Sequence, residues 1–195
     1  MSKKVVIVEG HPDAGRRHYL HALADAYAAG AAAAGHRVRR IDVAGLDFEL
    51  LRSKEEYEDG APAEAIREAQ TAIDRADHAA IFYPLWLGEM PALLKGFLEQ
   101  LLRPEFVLGP ERDGFAPTGR FGAKTAHLVV TMGMSAGGYR RVFGGHSLKS
   151  FKCCLLNLCG FSAVTHQVIG GVGGLGPAKR AKWIEKIRDA GCRIT

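Results

Sequence analysis

The sequence predicts an open, doubly wound parallel α/β sheet of five strands flanked by helices. Three observations carry that prediction. Five β-prone apolar runs alternate with five segments of helical character. The first three elements form a β-α-β unit, whose crossover is expected to be right-handed and parallel. With 195 residues at 47% hydrophobic content, the chain can bury one sizeable core, so a single domain over residues 1–195 is expected.

Lys4 to Val8 is the first strand, apolar from Val5, and it ends in Glu9-Gly10-His11-Pro12-Asp13-Ala14-Gly15. A helix follows from about Arg16 to Ala34 and is stopped by Gly35. His36 to Asp42 is the second strand, with Val38 and Ile41 its most apolar members. Val43 to Glu58 reads as an irregular loop laid across the body, with Leu46, Phe48, Leu50 and Leu51 as anchors. After Pro62 a helix runs to about Arg75, because Ala65, Ile66, Ala69, Ala72 and Ile73 recur at helical spacing. His78 to Tyr83 is the third strand; Pro84 is expected to end it, and Pro91 suits the first turn of the next helix. That helix carries Leu93, Leu94, Phe97, Leu98, Leu101 and Leu102 on one apolar face, with Lys95 and Glu99 as an i,i+4 pair.

Pro104 to Gly122, rich in Gly and Pro with Phe106, Val107, Leu108 and Phe115 embedded, reads as an excursion or hairpin. Ala123 to Val130 is the fourth strand, followed by a flexible loop from Thr131 to Tyr139. A helix from about Ser147 to Leu158 stops at Gly160, and Phe161 to Ile169 is the fifth strand. The Gly-rich loop Gly170 to Gly176 leads to Pro177 and a last helix ending at Gly191, whose Trp183, Ile184 and Ile187 read as packing.

Composition excludes several functions. The formal charge is +5, yet the basic residues are dispersed and no aromatic platform interleaves with them, so a solvated basic surface is expected and nucleic-acid binding is not. No apolar run is long enough to span a bilayer, and the N-terminus does not read as a signal peptide, so a cytoplasmic protein without membrane insertion is expected. Cys153, Cys154, Cys159 and Cys192 show no metal-type or Cys-x-x-Cys spacing; the first three, on or beside an apolar helix, read as buried thiols. His18 and His21 share a helix face without thiol or carboxylate company, so no metal site is expected.

The loops beyond the carboxyl ends of the strands point to a ligand. A dinucleotide-binding loop wants Gly-x-Gly-x-x-Gly after the first strand, and this chain has only Gly10 and Gly15 there, with His11-Pro12 between. What the loop offers is a helix N-terminus reinforced by His11, Arg16, Arg17 and His18, which together favour a phosphate. The stretch from Tyr83 to Gly96 places Pro84, Leu85, Trp86 and Leu87 past the end of a strand, where they are suited to holding a flat ring.

The arrangement resembles the flavodoxin-like NAD(P)H:quinone oxidoreductases, a family that includes the modulator-of-drug-activity and potassium-efflux ancillary proteins. The carrying residues are Val5-Val6-Ile7-Val8 leading into His11-Pro12-Asp13, Tyr83-Pro84-Leu85-Trp86 with Pro91-Ala92-Leu93-Leu94-Lys95-Gly96-Phe97, Thr131-Met132-Gly133 followed by Tyr139, and Cys159-Gly160-Phe161. The similarity covers nearly the whole chain. It implies the strand order 2-1-3-4-5 and a site holding FAD, alternatively FMN, shared by two subunits of a homodimer. It also implies ping-pong hydride transfer from NAD(P)H to the flavin and on to a quinone-like acceptor. His11 and the loop through Arg16 and Arg17 to His18 would hold flavin phosphate. Pro84, Leu85, Trp86 and Leu87 would line the ring, and Thr131, Met132 and Gly133 would meet its polar edge. Tyr139 matches the family's charge-stabilising tyrosine and His146 lies near its histidine; both are candidates for proton handling.

This chain departs from the family in lacking the Ser or Thr and the Asn that many members place after His-Pro; Arg16, Arg17 and His18 stand there instead. The family's Thr-Gly-Gly after strand four is Thr131-Met132-Gly133-Met134 here, which leaves fewer glycines where backbone would approach the ring. The alternative function is a flavin-binding regulatory subunit of a transport system with little turnover.

Overall fold

Val5 to Val8, His78 to Tyr83 and Ala126 to Val130 are apolar or β-branched enough to be buried on both faces, and all lie in the middle of one sheet. The computed structural model describes residues 1–108 and 119–194. Its strands are β1 (Lys4–Glu9), β2 (Arg37–Asp42), β3 (His78–Pro84), β4 (Thr125–Thr131) and β5 (Ala163–Ile169). They pair in the order β2-β1-β3-β4-β5, every pair parallel, as expected. The described helices are α1 (Tyr19–Ala33), α2 (Lys54–Glu58), α3 (Glu64–Arg75), α4 (Ala92–Leu101), α5 (Pro104–Val107), α6 (Ala136–Val142), α7 (His146–Ser150) and α8 (Pro177–Cys192).

Alternation along the strands divides the core in two. Val6, Val8, Ala79, Ile81, Tyr83, Leu128 and Val130 face α3 and α4, while Val5, Ile7, Ala80, Phe82 and Val129 face α1 and α8. On the second face α1 and α8 approach closely enough for backbones to touch. A Cβ on Gly30 would sit 2.0 Å from the Arg188 carbonyl oxygen, and one on Gly191 2.2 Å from that of Tyr27. The two glycines thereby seat Tyr27 over the start of the sheet. There its hydroxyl meets His78 Nε2 at 2.8 Å, and His78 Nδ1 meets Thr125 Oγ1 at 2.6 Å. His127 Nδ1 lies 2.7 Å from Thr165 Oγ1, and burial pushes the His127 imidazole down to about 4 and that of His78 to about 3.

Several sequence expectations are corrected. Pro84 closes β3 as its last paired residue, opposite Thr131, instead of lying beyond it. Phe82 accepts from Gly10 N–H and Leu85 donates to the Thr131 carbonyl, so the side of Pro84 that lacks an N–H faces β1, which has already ended at Glu9. α1 begins at Tyr19, three residues after Arg16, because Asp13 Oδ1 accepts from Gly15 N–H at 2.9 Å and holds the preceding loop in a turn. Within the expected loop from Thr131 to Tyr139 α6 begins, at Ala136, capped by Ser135 Oγ on Gly138 N–H, and it runs on to Val142. The irregular stretch from Val43 contains α2, whose Ser53 accepts from Glu56 N–H. After α7 the helix widens to π geometry over Phe151–Leu156. Turned that way, Cys153 and Cys154 are exposed and only Cys159 among them is buried, its thiol pushed up to about 11.

Of the expected anchors, Leu46 and Phe48 pack on the α4 face, Phe48 against Phe97, while Leu50 is largely exposed. The Lys95–Glu99 pair forms. Leu108 and Gly119 form an antiparallel bridge, so the ends of the Gly- and Pro-rich excursion meet; Phe115 lies outside the described residues.

Candidate functional site

A cleft of about 370 Å³ opens at the carboxyl ends of β1, β3 and β4, where this class of sheet binds ligands. One wall is Pro84, Leu85 and Trp86, and another is Thr131, Met132 and Gly133. The floor is the loop and first turn of α1, through His11, His18, Tyr19 and Leu20, and Val172, Gly173 and Arg180 close the far side.

Trp86 belongs to a tight turn. Its N–H and carbonyl pair with those of Glu89 at 2.8 and 3.0 Å, with Leu87 and Gly88 at φ of 50° and 86° between them. Two consecutive left-handed residues define a type I′ turn; glycine suits it and leucine is strained by it. The turn leaves Trp86 half exposed at the cleft edge, with its ring edge-on to His11 at 6.1 Å, and turns Leu87 fully outward, away from the cleft lining.

The phosphate-type loop is a cluster of imidazoles. The rings of His11 and His18 stack at 3.9 Å with 19° between their planes, and His21 stands 5.4 Å from the first and 5.9 Å from the second. Asp13 Oδ2 lies 2.7 Å from His18 Nε2, and that contact, followed by the Gly15 N–H, holds the Asp13 carboxyl down at about 2. Burial, and then the neighbouring His18 and His21, push His11 down to about 4, so it is uncharged at neutral pH. Arg16 is drawn to Asp13 and Arg17 to Asp25, and both line a separate hollow of about 460 Å³ together with Glu9, Arg40 and Asp42. The structure therefore brings His11, His18, Pro84, Leu85, Trp86, Thr131, Met132 and Gly133 together, and sets Arg16, Arg17 and Leu87 apart.

Tyr139 and His146 also stand outside the cleft lining. Tyr139 is buried on α6; its hydroxyl accepts from Leu148 N–H at 3.2 Å and pairs with Ser147 Oγ at 2.7 Å. His146 is exposed at the start of α7, its ring folded beside Gly144.

Arg180, which the sequence does not single out, also lines the cleft. It donates to the Leu175 carbonyl through Nε at 2.9 Å and to that of Val172 through Nη2 at 2.6 Å, and it lies 4.6 Å from the centre of the Tyr19 ring, whose hydroxyl donates to the Arg180 carbonyl. Among the described residues it has no carboxylate partner where it lines the cleft. The only sequence signal was a basic residue in the first turn of the helix after a Gly-rich loop. A larger groove of about 620 Å³, whose lining includes Leu51, Leu98, Leu102, Leu108, Leu155 and Leu158, lies on another face; its Lys95 and Glu99 neutralise each other.

Comparison with known proteins fits this geometry. The model of a family described by its flavodoxin-like fold matches residues 3–190. The chain belongs to that family. Within it, the chain is 28% identical over 151 residues to an uncharacterized NAD(P)H oxidoreductase of Haemophilus influenzae, covering 74% of this chain and 72% of the relative. It superposes on an NAD(P)H:quinone oxidoreductase of Methanothermobacter marburgensis with a TM-score of 0.80 and 26% identity, over 99% of each chain. An FMN-dependent NADH-azoreductase of Bacillus anthracis, 15% identical over 98% of each chain, shares the fold with a TM-score of 0.76.

The cleft suits the flavin that the resemblance implies. One wall, of Pro84, Leu85 and Trp86, is apolar, and space is open where a Cβ on Gly133 or Gly173 would point. At the floor, the N–H groups of Tyr19 and Leu20 at the start of α1 have no protein partner among the described residues, and Arg180 and the imidazoles stand beside them. That is a donor set for a phosphate beside a slot for a ring.

Proposed function

We propose that the protein is an NAD(P)H:quinone-type oxidoreductase that works through a flavin held in the cleft of His11, Trp86, Thr131 and Arg180. The observation that carries the reading is the convergence of one apolar slot and one anion-binding floor at the carboxyl ends of β1, β3 and β4. The relatives named above act on NAD(P)H, and one with the same fold uses FMN, which favours FMN over FAD.

Bound there, the flavin would supply the hydride chemistry, accepting from NAD(P)H and delivering to a quinone in alternate half-reactions. The chain's part is to bind and orient. His11 Nε2, the Tyr19 and Leu20 N–H groups and Arg180 would hold the phosphate, and Pro84, Leu85 and Trp86 would support one face of the ring. The Gly133 N–H, which has no protein partner among the described residues, would donate to its polar edge. Within one chain Tyr139 and His146 do not reach the cleft, so the reading gives them no contact with the reacting atoms.

A second copy of the chain completes the proposal. Trp86, Leu87, Val142 and Phe143 are apolar and exposed at the cleft rim, and Phe143 lies 3.5 Å from where a Cβ on Gly88 would stand, so they are continuous. A homodimer would cover them and wall the ring slot.

The test is direct. The purified protein incubated with FMN is expected to retain yellow colour after desalting and to bleach on anaerobic addition of NADH or NADPH, with colour returning on addition of a quinone. A protein that stays colourless overturns the reading.

A further inference from the structure

We propose that the basic surface around the cleft selects NADPH over NADH as hydride donor, attracting its extra phosphate through Arg141, Lys179 and Lys182 and the acid-free stretch of chain that carries them. The inference rests on the flavin reading above and chooses between the two donors which that reading allows.

Charge is divided along the chain. Residues 1–113 hold 14 Lys and Arg against 19 Asp and Glu, while residues 114–195 hold 12 against two, Glu185 and Asp189. The first part is thus five charges negative and the second ten positive, which together give the formal +5. β4 and β5 are neighbours at one side of the sheet, so the division in sequence is also one in space. Among the described residues, the ion pairs formed beyond residue 113 are Arg120–Asp74 and Arg193–Asp189, and no other cation there is paired.

The cleft lies at the seam, with the positive side forming its lip. Val172 N–H donates to the Met132 carbonyl at 3.1 Å and Gly171 N–H to that of Met134 at 2.8 Å, so the loops after β4 and β5 are laced together. A Cβ on Gly170 would stand 2.3 Å from Ala136 N, which keeps the two loops in backbone contact. α6 leaves that lip carrying Arg141, and α8 leaves it carrying Lys179 and Lys182, all three exposed. Arg141 Nη2 lies 4.0 Å from where a Cβ on Gly137 would stand, so its guanidinium is folded back along α6 toward the lip. Carboxylates on the other side are engaged: Asp13 Oδ2 by His18 and Arg16, and Glu89 Oε1 by Met90 N–H at 2.9 Å. Arg180, inside the cleft, is offset by the flavin's own phosphate, which leaves the three outer cations for the donor.

Both donors give the same hydride and leave as the oxidised nicotinamide, so the reacting ring does not distinguish them. They differ by a phosphate monoester on the adenosine, which carries about 1.5–2 negative charges near neutral pH. A potential of about one kT per unit charge over the cleft mouth, modest for a protein surface, enriches NADPH over NADH about four- to sevenfold. The attraction acts over a Debye length, about 30 Å at 0.01 M salt and about 3 Å at 1 M, so it needs no fitted pocket and vanishes on screening.

The test follows flavin bleaching in the FMN-loaded protein by anaerobic stopped flow, from about 0.01 M to about 1 M salt. The donors are NADPH, NADH and N-benzyl dihydronicotinamide, which is uncharged and has the same reactive ring. The second-order rate constant for NADPH is expected to exceed that for NADH about fivefold at low salt and to meet it at high salt, while that of the uncharged donor stays level. Lys179→Glu combined with Lys182→Glu should bring the two nucleotides level at low salt, and Arg141→Glu should narrow the gap. Both variants should keep the unaltered rate with the uncharged donor. Equal rates or faster NADH at low salt, an advantage that persists at high salt, or one undiminished in either variant overturns the proposal and leaves the flavin reading standing. Bleaching by none of the three donors overturns the two together.

Discussion

Trp86 is 51% exposed, and its ring stands edge-on to that of His11, 6.1 Å between centres. Removing it takes little from the core but strips one wall of the cleft. Trp86→Ala is therefore expected to shift the fold's stability by no more than about 0.5 kcal/mol, the usual range for surface positions, while weakening flavin binding about tenfold or more. Urea unfolding and flavin titration on the same preparation read the two effects separately. Tyr139 is the opposite case, buried with its hydroxyl accepting the Leu148 N–H. Tyr139→Phe orphans that N–H and should cost about 1–3 kcal/mol in urea unfolding. At this scale the sequence showed the cleft walls well, because residues adjacent in sequence at a strand end stay adjacent in space. It misplaced Arg16 and Arg17, because a run of like charges does not reveal which carboxylates lie nearby; Asp25 is a helical turn and more away from Arg17 in sequence. Arg180 was invisible for the converse reason: its partner Tyr19 is 161 residues distant.

Among the elements, α1 and α8 make the tightest crossing, through Gly30 and Gly191. A methyl group at either position meets backbone, which cannot rotate away, so the helices must part. Gly30→Ala is expected to cost about 1–3 kcal/mol and to lower the melting temperature, although alanine is the better helix former. The strands beneath carry His78 and His127 uncharged, and this sets a pH dependence. Unfolded, each imidazole takes up a proton near pH ~6.5; folded, they resist until about 3 and 4. The unfolded chain thus binds more protons through that interval. Stability is full above about pH 7 and falls with acidification, by up to about 1.4 kcal/mol per pH unit for each histidine. Urea midpoints measured from about pH 7 to about pH 4 should fall, and His127→Gln should reduce the slope. The strands and long helices were legible from hydrophobic period and from Pro and Gly punctuation. α6 was not, because Ala136-Gly137-Gly138 has the composition of a loop, and its helical turns depend on the Ser135 cap and the burial of Tyr139. The π turn reads in the sequence as ordinary helix, since a widened turn leaves no mark on composition.

At the scale of the molecule, an apolar rim around a polar-floored cleft predicts association. Sedimentation should give twice the mass of one chain, and Leu87→Asp, at a fully exposed and strained position, should shift it to the monomer without unfolding it. The strand order was readable from the alternation of elements and the family resemblance together; the uneven burial of the sheet was not. All seven residues of β3 are buried, whereas β5, at the edge, buries only Ile169 among its seven. The sheet is therefore anchored at its centre and loosely held along both edges, since β2 too buries only Ile41 among its six residues. In deuterated water the amides of β1 and β3 should exchange only through global opening, and those of β5 sooner, through local opening that leaves the rest of the sheet paired.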